Sequence, residues 1–380
     1  MIRSVHRREV NRSGTFSIGV DPFPFDLRWA AWAAAVETLQ VDLVASGWMN
    51  LFASMLSPYP ATELRWLASG PGTNAEIKRA YSALMGRFFG RGTLRRDHGC
   101  RWLRQVTEGL ELAPGVYLRR KAGHTGDLPD WVGWDDFQNC WIVAEAKGSH
   151  DKSDWIDGHP SPIKTALRQL ARVEIVDSSG PIAFKTWAVA ARWGTEENGL
   201  PPVIITCDPD GDGRHLQDWE IPKHREEARA RWVSDLLVGL GKPDLANAIR
   251  NEETDIAGAV EDDLVLVSGR KGYAAVAIEM GGVIPLIGAG REDRAQSIFE
   301  TARILKRNMA LVLLDREETE KAIARGDPGE LSDREVPDRR GWASAEPSSQ
   351  KADWPELTID GLTFRTMIDD IEFPSEGSYD

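Results

Sequence analysis

The chain contains little cysteine: three residues in 380, Cys100, Cys140 and Cys207, odd in number and far apart. That excludes a disulfide framework and a paired-cysteine zinc site, and makes a reducing cytoplasm the expected compartment. Long hydrophobic runs are missing too. The longest strictly apolar stretch, Trp29 to Val36, has eight residues, far short of the ~20 that span a bilayer. Residues 1–15 are polar and basic without an apolar centre, so they do not read as a secretory signal, and no membrane partner is expected. Gly-x-Ser-x-Gly, His-Glu-x-x-His and the Gly-Lys-Ser/Thr phosphate loop are absent, which removes the usual sequence support for a serine triad, a zinc hydrolase and an ATP-driven motor.

An excess of positive charge is also lacking, since the net charge is -13. The charge is unevenly spread, however. Between Glu76 and His124 eleven Lys/Arg face four acids, giving +7, whereas residues 327–380 carry fourteen acids against five Lys/Arg, giving -9. The first segment is a candidate phosphate-tracking face, and the second an acidic, loosely ordered tail. Hydrophobic residues at 42% and charged residues at 28% exclude wholesale disorder. A length of 380 residues favours two domains, or one core with extensions.

Residues 26–112 read as helical, with Asp26 capping a Trp- and Ala-rich segment and Thr73-x-x-Glu76 spaced as a capping box. From Val116 short β-prone runs follow: Val116–Arg120, Trp131–Trp134 and Cys140–Ala146. Ser161-Pro162 then opens an amphipathic helix whose inward face is Ile163, Ala166, Leu167, Leu170 and Val173. Apolar runs at 182–191 and 203–207 come next, then a helix over 222–252. Beyond Asp262 strands are expected at 264–267, 273–278 and 309–314, with a helix near 292–307 and a hairpin turning at Asp360-Gly361. The expected organisation is a helical N-terminal region (1–96), an α/β core (97–255), a smaller C-terminal α/β region (256–326) and the acidic tail (327–380).

The chemistry is carried by Pro129-Asp130-Trp131-Val132 and, after a polar turn, Trp141-Ile142-Val143-Ala144-Glu145-Ala146-Lys147-Gly148. Two strands in a hairpin bring Asp130 and Glu145 together, and period-two geometry sets Glu145 and Lys147 side by side. Charges ending an apolar run are costly unless paired or metal-bound. Two carboxylates and the Ala146 carbonyl are hard oxygen ligands suited to Mg²⁺, with Mn²⁺ as a substitute, and Lys147 stands ready to orient a water and offset phosphate charge. The plainer alternative is a salt-bridged strand end. A second Glu-x-Lys, Glu76-Ile77-Lys78, lies on a predicted helix without an upstream Pro-Asp.

These residues resemble the PD-(D/E)xK nuclease superfamily: Pro129-Asp130 matches its first motif and Glu145-Ala146-Lys147 its second. The resemblance covers about a quarter of the chain. It implies a restriction-endonuclease-like mixed-sheet core of helix, three strands, helix and strand over about 97–192. It further implies a metal-dependent phosphodiesterase acting on nucleic acid, usually DNA, with Asp130 and Glu145 as metal ligands and Lys147 at the water. Some branches add a glutamine on the following helix, where Gln169 falls, although their tyrosine four residues later is Val173 here. Many relatives carry an acid on the helix before the first strand, for which Glu108 and Asp97 are candidates. Lys164, Arg168 and Arg172 recur every four residues as a basic stripe suited to a phosphate backbone, or as a solvated helix face. A homodimer or a larger complex is an open expectation.

Other readings compete. A catalytically inactive protein of the same fold, acting as a nucleic-acid-binding or assembly subunit, has the same motifs. Asp208-Pro209-Asp210-Gly211-Asp212-Gly213 begins like a calcium loop, but Trp219 stands at position twelve and a β-prone run precedes it. Gly288-Ala289-Gly290 lacks the third glycine of a dinucleotide site. His150 and His159 flank the loop after Lys147 as possible phosphate contacts. Of fifteen tryptophans, Trp131, Trp134 and Trp155 lie near the motifs and are candidates for base stacking.

Overall fold

The computed structural model describes residues 2–11, 16–37, 51–57, 63–71, 74–150, 155, 159–208, 213–239, 243–251, 265–266, 273–279, 309–315, 357–359 and 362–366. One compact unit gathers Met1–Glu37 and Met49–Trp232, and a second gathers Val233–Gly326 and Ala345–Asp380. The fold is mixed α/β, with a mixed multi-strand sheet and several helices.

In the first unit, strands β1 (Ile2–Val10) and β2 (Phe16–Asp26) pair antiparallel. Asp26 then caps helix α1 (Leu27–Glu37), its Oδ1 accepting the Arg28 amide at 3.0 Å. After a short β3 (Arg65–Trp66), helix α2 (Ala75–His98) begins at Asn74, whose side chain accepts the Ile77 amide at 2.8 Å. The cap is thus one residue beyond the expected Thr73, which lies outside the described residues. Strands β4 (Cys100–Gln105), β5 (Leu110–Ala113), β6 (Val116–Arg120), β7 (Trp131–Asp135) and β8 (Cys140–Ser149) follow. Helix α3 (Ser161–Leu170) leads to β9 (Val173–Asp177), β10 (Gly180–Ile182), β11 (Lys185–Arg192), β12 (Gly194–Thr195) and β13 (Val203–Cys207). Helix α4 (Ile221–Gly239) closes the series, and its residues from Val233 onward belong to the second unit.

Seven strands form one sheet in the order β2-β1-β13-β11-β8-β7-β4. Strands β4, β7 and β8 are antiparallel neighbours, and β11 lies parallel to β8. Both helices α2 and α3 pack on the interior strand β8, and side chains pointing to either face are buried, which is why Ile142, Val143 and Ala144 form a continuous apolar run. A separate antiparallel sheet, β10-β9-β6-β5, is made from the segments between β4 and β7 and between α3 and β11.

Helix α2 lies against β8 at backbone contact. A Cβ on Gly86 would sit 2.2 Å from the Gly148 nitrogen, and one on Gly148 would sit 1.6 Å from the Ser82 carbonyl oxygen. Only hydrogen at both positions permits this approach. Ala146 and Gly148 therefore lie under α2, and alternation turns Glu145 and Lys147 toward the opposite face of the strand.

Several expectations are corrected. Strands β1, β2 and β3 lie in the N-terminal region (1–96) expected to be helical, and β3, β4 and most of β5 lie in the segment 26–112 read as helical. The expected strand Val116–Arg120 exists but belongs to the small sheet, while β4 takes its place beside β7. Helix α3 ends at Leu170, so Val173 begins a strand instead of completing a helical face.

In the second unit, α5 (Pro243–Asn251) is held to α4 by Ser234 Oγ, which donates to the Ala246 carbonyl at 2.8 Å. Strands β14 (Val265–Leu266), β15 (Tyr273–Glu279), β16 (Met309–Asp315), β17 (Leu357–Ile359) and β18 (Leu362–Thr366) form an antiparallel sheet in the order β14-β15-β16-β18-β17. The expected hairpin is present, with Ile359 opposite Leu362. The helix near 292–307, Gly288–Gly290 and most of the acidic tail lie outside the described residues. Among the described residues no helix is long and apolar enough to cross a membrane.

Candidate active site

Register builds the site. Trp131 of β7 lies opposite Ala144 of β8, so the next pair outward is Asp130 and Glu145. There the side chains take over from the backbone ladder. The Asp130 amide donates to Glu145 Oε2 at 2.8 Å, and the Ala146 amide donates to Asp130 Oδ2 at 2.8 Å. Pro129, buried, leads into this position with a fixed φ, and Gln169 Nε2 donates to the Leu128 carbonyl at 3.3 Å from α3. Gln169 thus acts on the backbone two residues before Asp130, and its side chain is buried.

The remaining carboxylate oxygens meet cations. Lys147 Nζ pairs with Glu145 Oε1, and the Arg87 guanidinium of α2 pairs with Asp130 Oδ1. Arg87 also donates to Glu37 Oε2, at 2.7 Å from Nη2 and 3.2 Å from Nε. Glu37, the last residue of α1, completes the cluster: its Oε1 accepts from Arg91 and from the Trp131 indole N–H, the latter at 2.7 Å. Three acids and three bases therefore interlock. Glu145 is the most deeply buried, with 1% of its side chain exposed, against 15% for Asp130 and 30% for Lys147.

Burial governs the electrostatics. It pushes the Glu145 carboxyl up to about 7, aided by repulsion from Asp130 and opposed by Lys147. Asp130 is raised in the same way, with Arg87 opposing. For Glu37 the balance reverses: burial would raise it, but Arg91 and Arg87 outweigh that cost and hold it below its ordinary value.

A cavity of about 330 Å³ opens onto Asp130 and is lined by Arg87, Gln105, Arg120, Asp127 and Pro129 among others. Among the described residues no group of three His, Cys, Asp or Glu side chains is arranged to hold a metal ion. The oxygen donors available are the two carboxylates and the Ala146 carbonyl. That set fits Mg²⁺, which is commonly held by one or two carboxylates and keeps several waters.

Asp130, Glu145, Ala146 and Lys147 are thus brought together, with Gln169 behind them. The basic stripe is not continued: Lys164 and Arg168 are exposed on α3, but Arg172 lies beyond the helix end and donates to the Asp127 carbonyl at 2.7 Å. Several cations of the +7 segment are engaged in ion pairs with the chain's own acids: Arg96–Asp97, Arg101–Asp136, Arg119–Glu174 and Arg120–Glu108. Glu108 and Asp97 are engaged there, and the acid that reaches the site from a helix is Glu37. Trp131, Trp134 and Trp155 are buried and offer no stacking surface. His159 Nε2 lies 2.8 Å from the Asn11 carbonyl. His150 Nδ1 lies 2.8 Å from Ser82 Oγ. Residues 209–212 of the acidic turn lie outside the described residues.

Comparison with protein-family models, with curated proteins and with solved structures finds no match to the chain.

Proposed function

We propose that the protein is a metal-dependent nuclease of the PD-(D/E)xK type, hydrolysing phosphodiester bonds of nucleic acid, with DNA as the expected substrate. One observation carries the reading. Asp130 and Glu145 from adjacent strands exchange hydrogen bonds at the sheet margin, with Lys147 paired to Glu145 on the same strand. The order α2, β4, β7, β8, α3, β11 supports the restriction-endonuclease-like core that the motifs imply.

Asp130, Glu145 and the Ala146 carbonyl would hold Mg²⁺ or Mn²⁺, which supplies Lewis-acid activation of a water and of a phosphate oxygen. Lys147, half-buried beside Glu145, orients the attacking water and offsets charge that builds on the phosphate. Gln169 fixes the backbone before Asp130, and Glu37 fixes Arg87.

The complete pairing of the four carboxylate oxygens favours a second reading, a non-catalytic scaffold in which Arg87 permanently neutralises Asp130. Incubation of purified protein with plasmid and with single-stranded oligonucleotides, with Mg²⁺ or Mn²⁺ and with EDTA, decides between them. The nuclease gives metal-dependent cleavage that EDTA stops and Lys147→Ala abolishes. Intact substrates under every metal condition establish the scaffold.

A further inference from the structure

A second cavity, of about 300 Å³, lies in the same unit and is lined by Trp66, Lys78, Tyr81, Ser82, His150 and Trp193, with Thr195, Glu197 and Asn198 at its margin. It shares two elements with the acid cluster. Ser82 and Arg87 are five residues apart on α2, about 7.5 Å along the axis. His150 follows Lys147 by three residues, about 10 Å of extended chain.

The lining is specific in kind. Trp66 and Trp193 stand with ring centroids 5.4 Å apart and are both buried, and Tyr81 is half-buried beside them. Trp193 is 2% exposed, and its indole N–H meets no acceptor among the described residues. A buried donor without a partner is costly unless an acceptor arrives from elsewhere. Lys78 adds a cation to the lining, and Ser82 and His150 add a hydrogen-bonded pair at 2.8 Å. A half-buried tyrosine ring above a packed tryptophan pair, an orphan N–H and a cation match one chemical unit: a flat heteroaromatic ring joined to a phosphate. The volume is at the low end for ligand sites, enough for one such unit.

We infer that this cavity binds a single nucleotide, its base on the half-buried Tyr81 ring and its phosphate toward Lys78 and His150. Glu197 at the margin accepts from a base amine. That the nucleotide belongs to the strand whose phosphodiester lies at Asp130 and Glu145 rests on the nuclease reading. The presence of a nucleotide site does not.

Calorimetric titration of metal-free protein, wild type and Glu145→Gln, with the four nucleoside 5′-monophosphates tests it, using nucleosides and inorganic phosphate as separate probes. Saturable binding of monophosphates is expected, equal in the two proteins, weaker for the nucleoside or phosphate alone, and weakened at least tenfold by Lys78→Ala and by Tyr81→Ala. Neither variant removes a buried side chain, and circular dichroism checks that both fold. Lack of saturation by any monophosphate into the millimolar range overturns the inference, as does undiminished binding by both variants. No metal or cleavage enters the measurement, so binding without plasmid cleavage sinks the nuclease reading alone. Cleavage without binding sinks the nucleotide site alone.

Discussion

Asp130 and Glu145 each hold the other's strand: the Asp130 amide donates to Glu145 Oε2, and the amide after Glu145 donates to Asp130 Oδ2, both at 2.8 Å. The two acids are therefore part of the β7–β8 ladder as well as candidate ligands. Substituting them touches the fold and the chemistry together, and the choice of replacement separates the two.

Glu145→Gln keeps an oxygen for the Asp130 amide and removes the like charge, so its stability should equal or exceed that of the wild type while cleavage is lost. Glu145→Ala leaves the buried Asp130 amide unpaired and Lys147 without its partner. It should cost about 2–3 kcal/mol. Urea unfolding of both variants measures the difference; equal losses would mean that the clasp contributes nothing to the ladder.

A pH dependence follows from the same carboxyl. Burial raises Glu145 from its ordinary 4.5 to about 7 in the folded state. Within that window the folded protein binds more protons than the unfolded chain, so stability falls as pH rises through it. The contribution is on the order of 3 kcal/mol. In metal-free buffer the wild type should lose stability relative to Glu145→Gln between pH 4.5 and 7, with no further divergence above pH 8. The comparison cancels Glu37, whose depressed value acts in the opposite direction, stabilising above its ordinary range. A flat difference across the window would contradict the raised value.

The close approach of α2 to β8 gives a third expectation. Gly148→Ala would set a methyl carbon 1.6 Å from the Ser82 carbonyl oxygen, which is backbone and can yield only by moving the helix. Overpacking of this kind costs about 3 kcal/mol or more. The shift also carries Arg87 away from Asp130, so melting temperature and cleavage should fall together. A Gly148→Ala protein that melts with the wild type would show that α2 and β8 are not in contact at this point.

How much of this was legible in the sequence depends on periodicity. Strands β7 and β8 are apolar runs ending in charge, and that contrast exposed Asp130, Glu145 and Lys147. Gln169 stood out only through the resemblance, which implies a glutamine on the helix after the second motif. Strand β4 escaped because its register with β7 shifts between Arg101 and Arg104 and Trp102 has φ 49°, so its alternation is broken. Strand β2 holds Pro22 and Pro24, which argue against a strand but are tolerated on the sheet edge it occupies. Glu37 left no local signal. It lies 93 residues before Asp130, and only the fold joins them through Arg87. The basic segment is hard to read for a related reason: several of its arginines pair with acids that only the fold brings near, as Arg87 with Glu37 and Asp130, and Arg101 with Asp136.

Arg87 decides whether the acid pair is open to a metal. Its guanidinium pairs with Asp130 Oδ1, the oxygen not engaged by the Ala146 amide, and it is anchored by Glu37 from α1. A divalent ion at Asp130 must compete with that cation, and removing the competitor lowers the cost of binding. Arg87→Met keeps much of the buried stem and leaves Glu37 its bonds to Arg91 and Trp131. Calorimetric titration with Mn²⁺ should therefore give about tenfold tighter binding in Arg87→Met than in the wild type, or about 1.4 kcal/mol. Asp130→Asn should abolish it. Cleavage need not rise in parallel, because Arg87 also lines the cavity where the phosphate would lie. Equal affinities would remove Arg87 as a competitor, and lack of Mn²⁺ binding by both proteins at millimolar concentration would favour the scaffold over the nuclease.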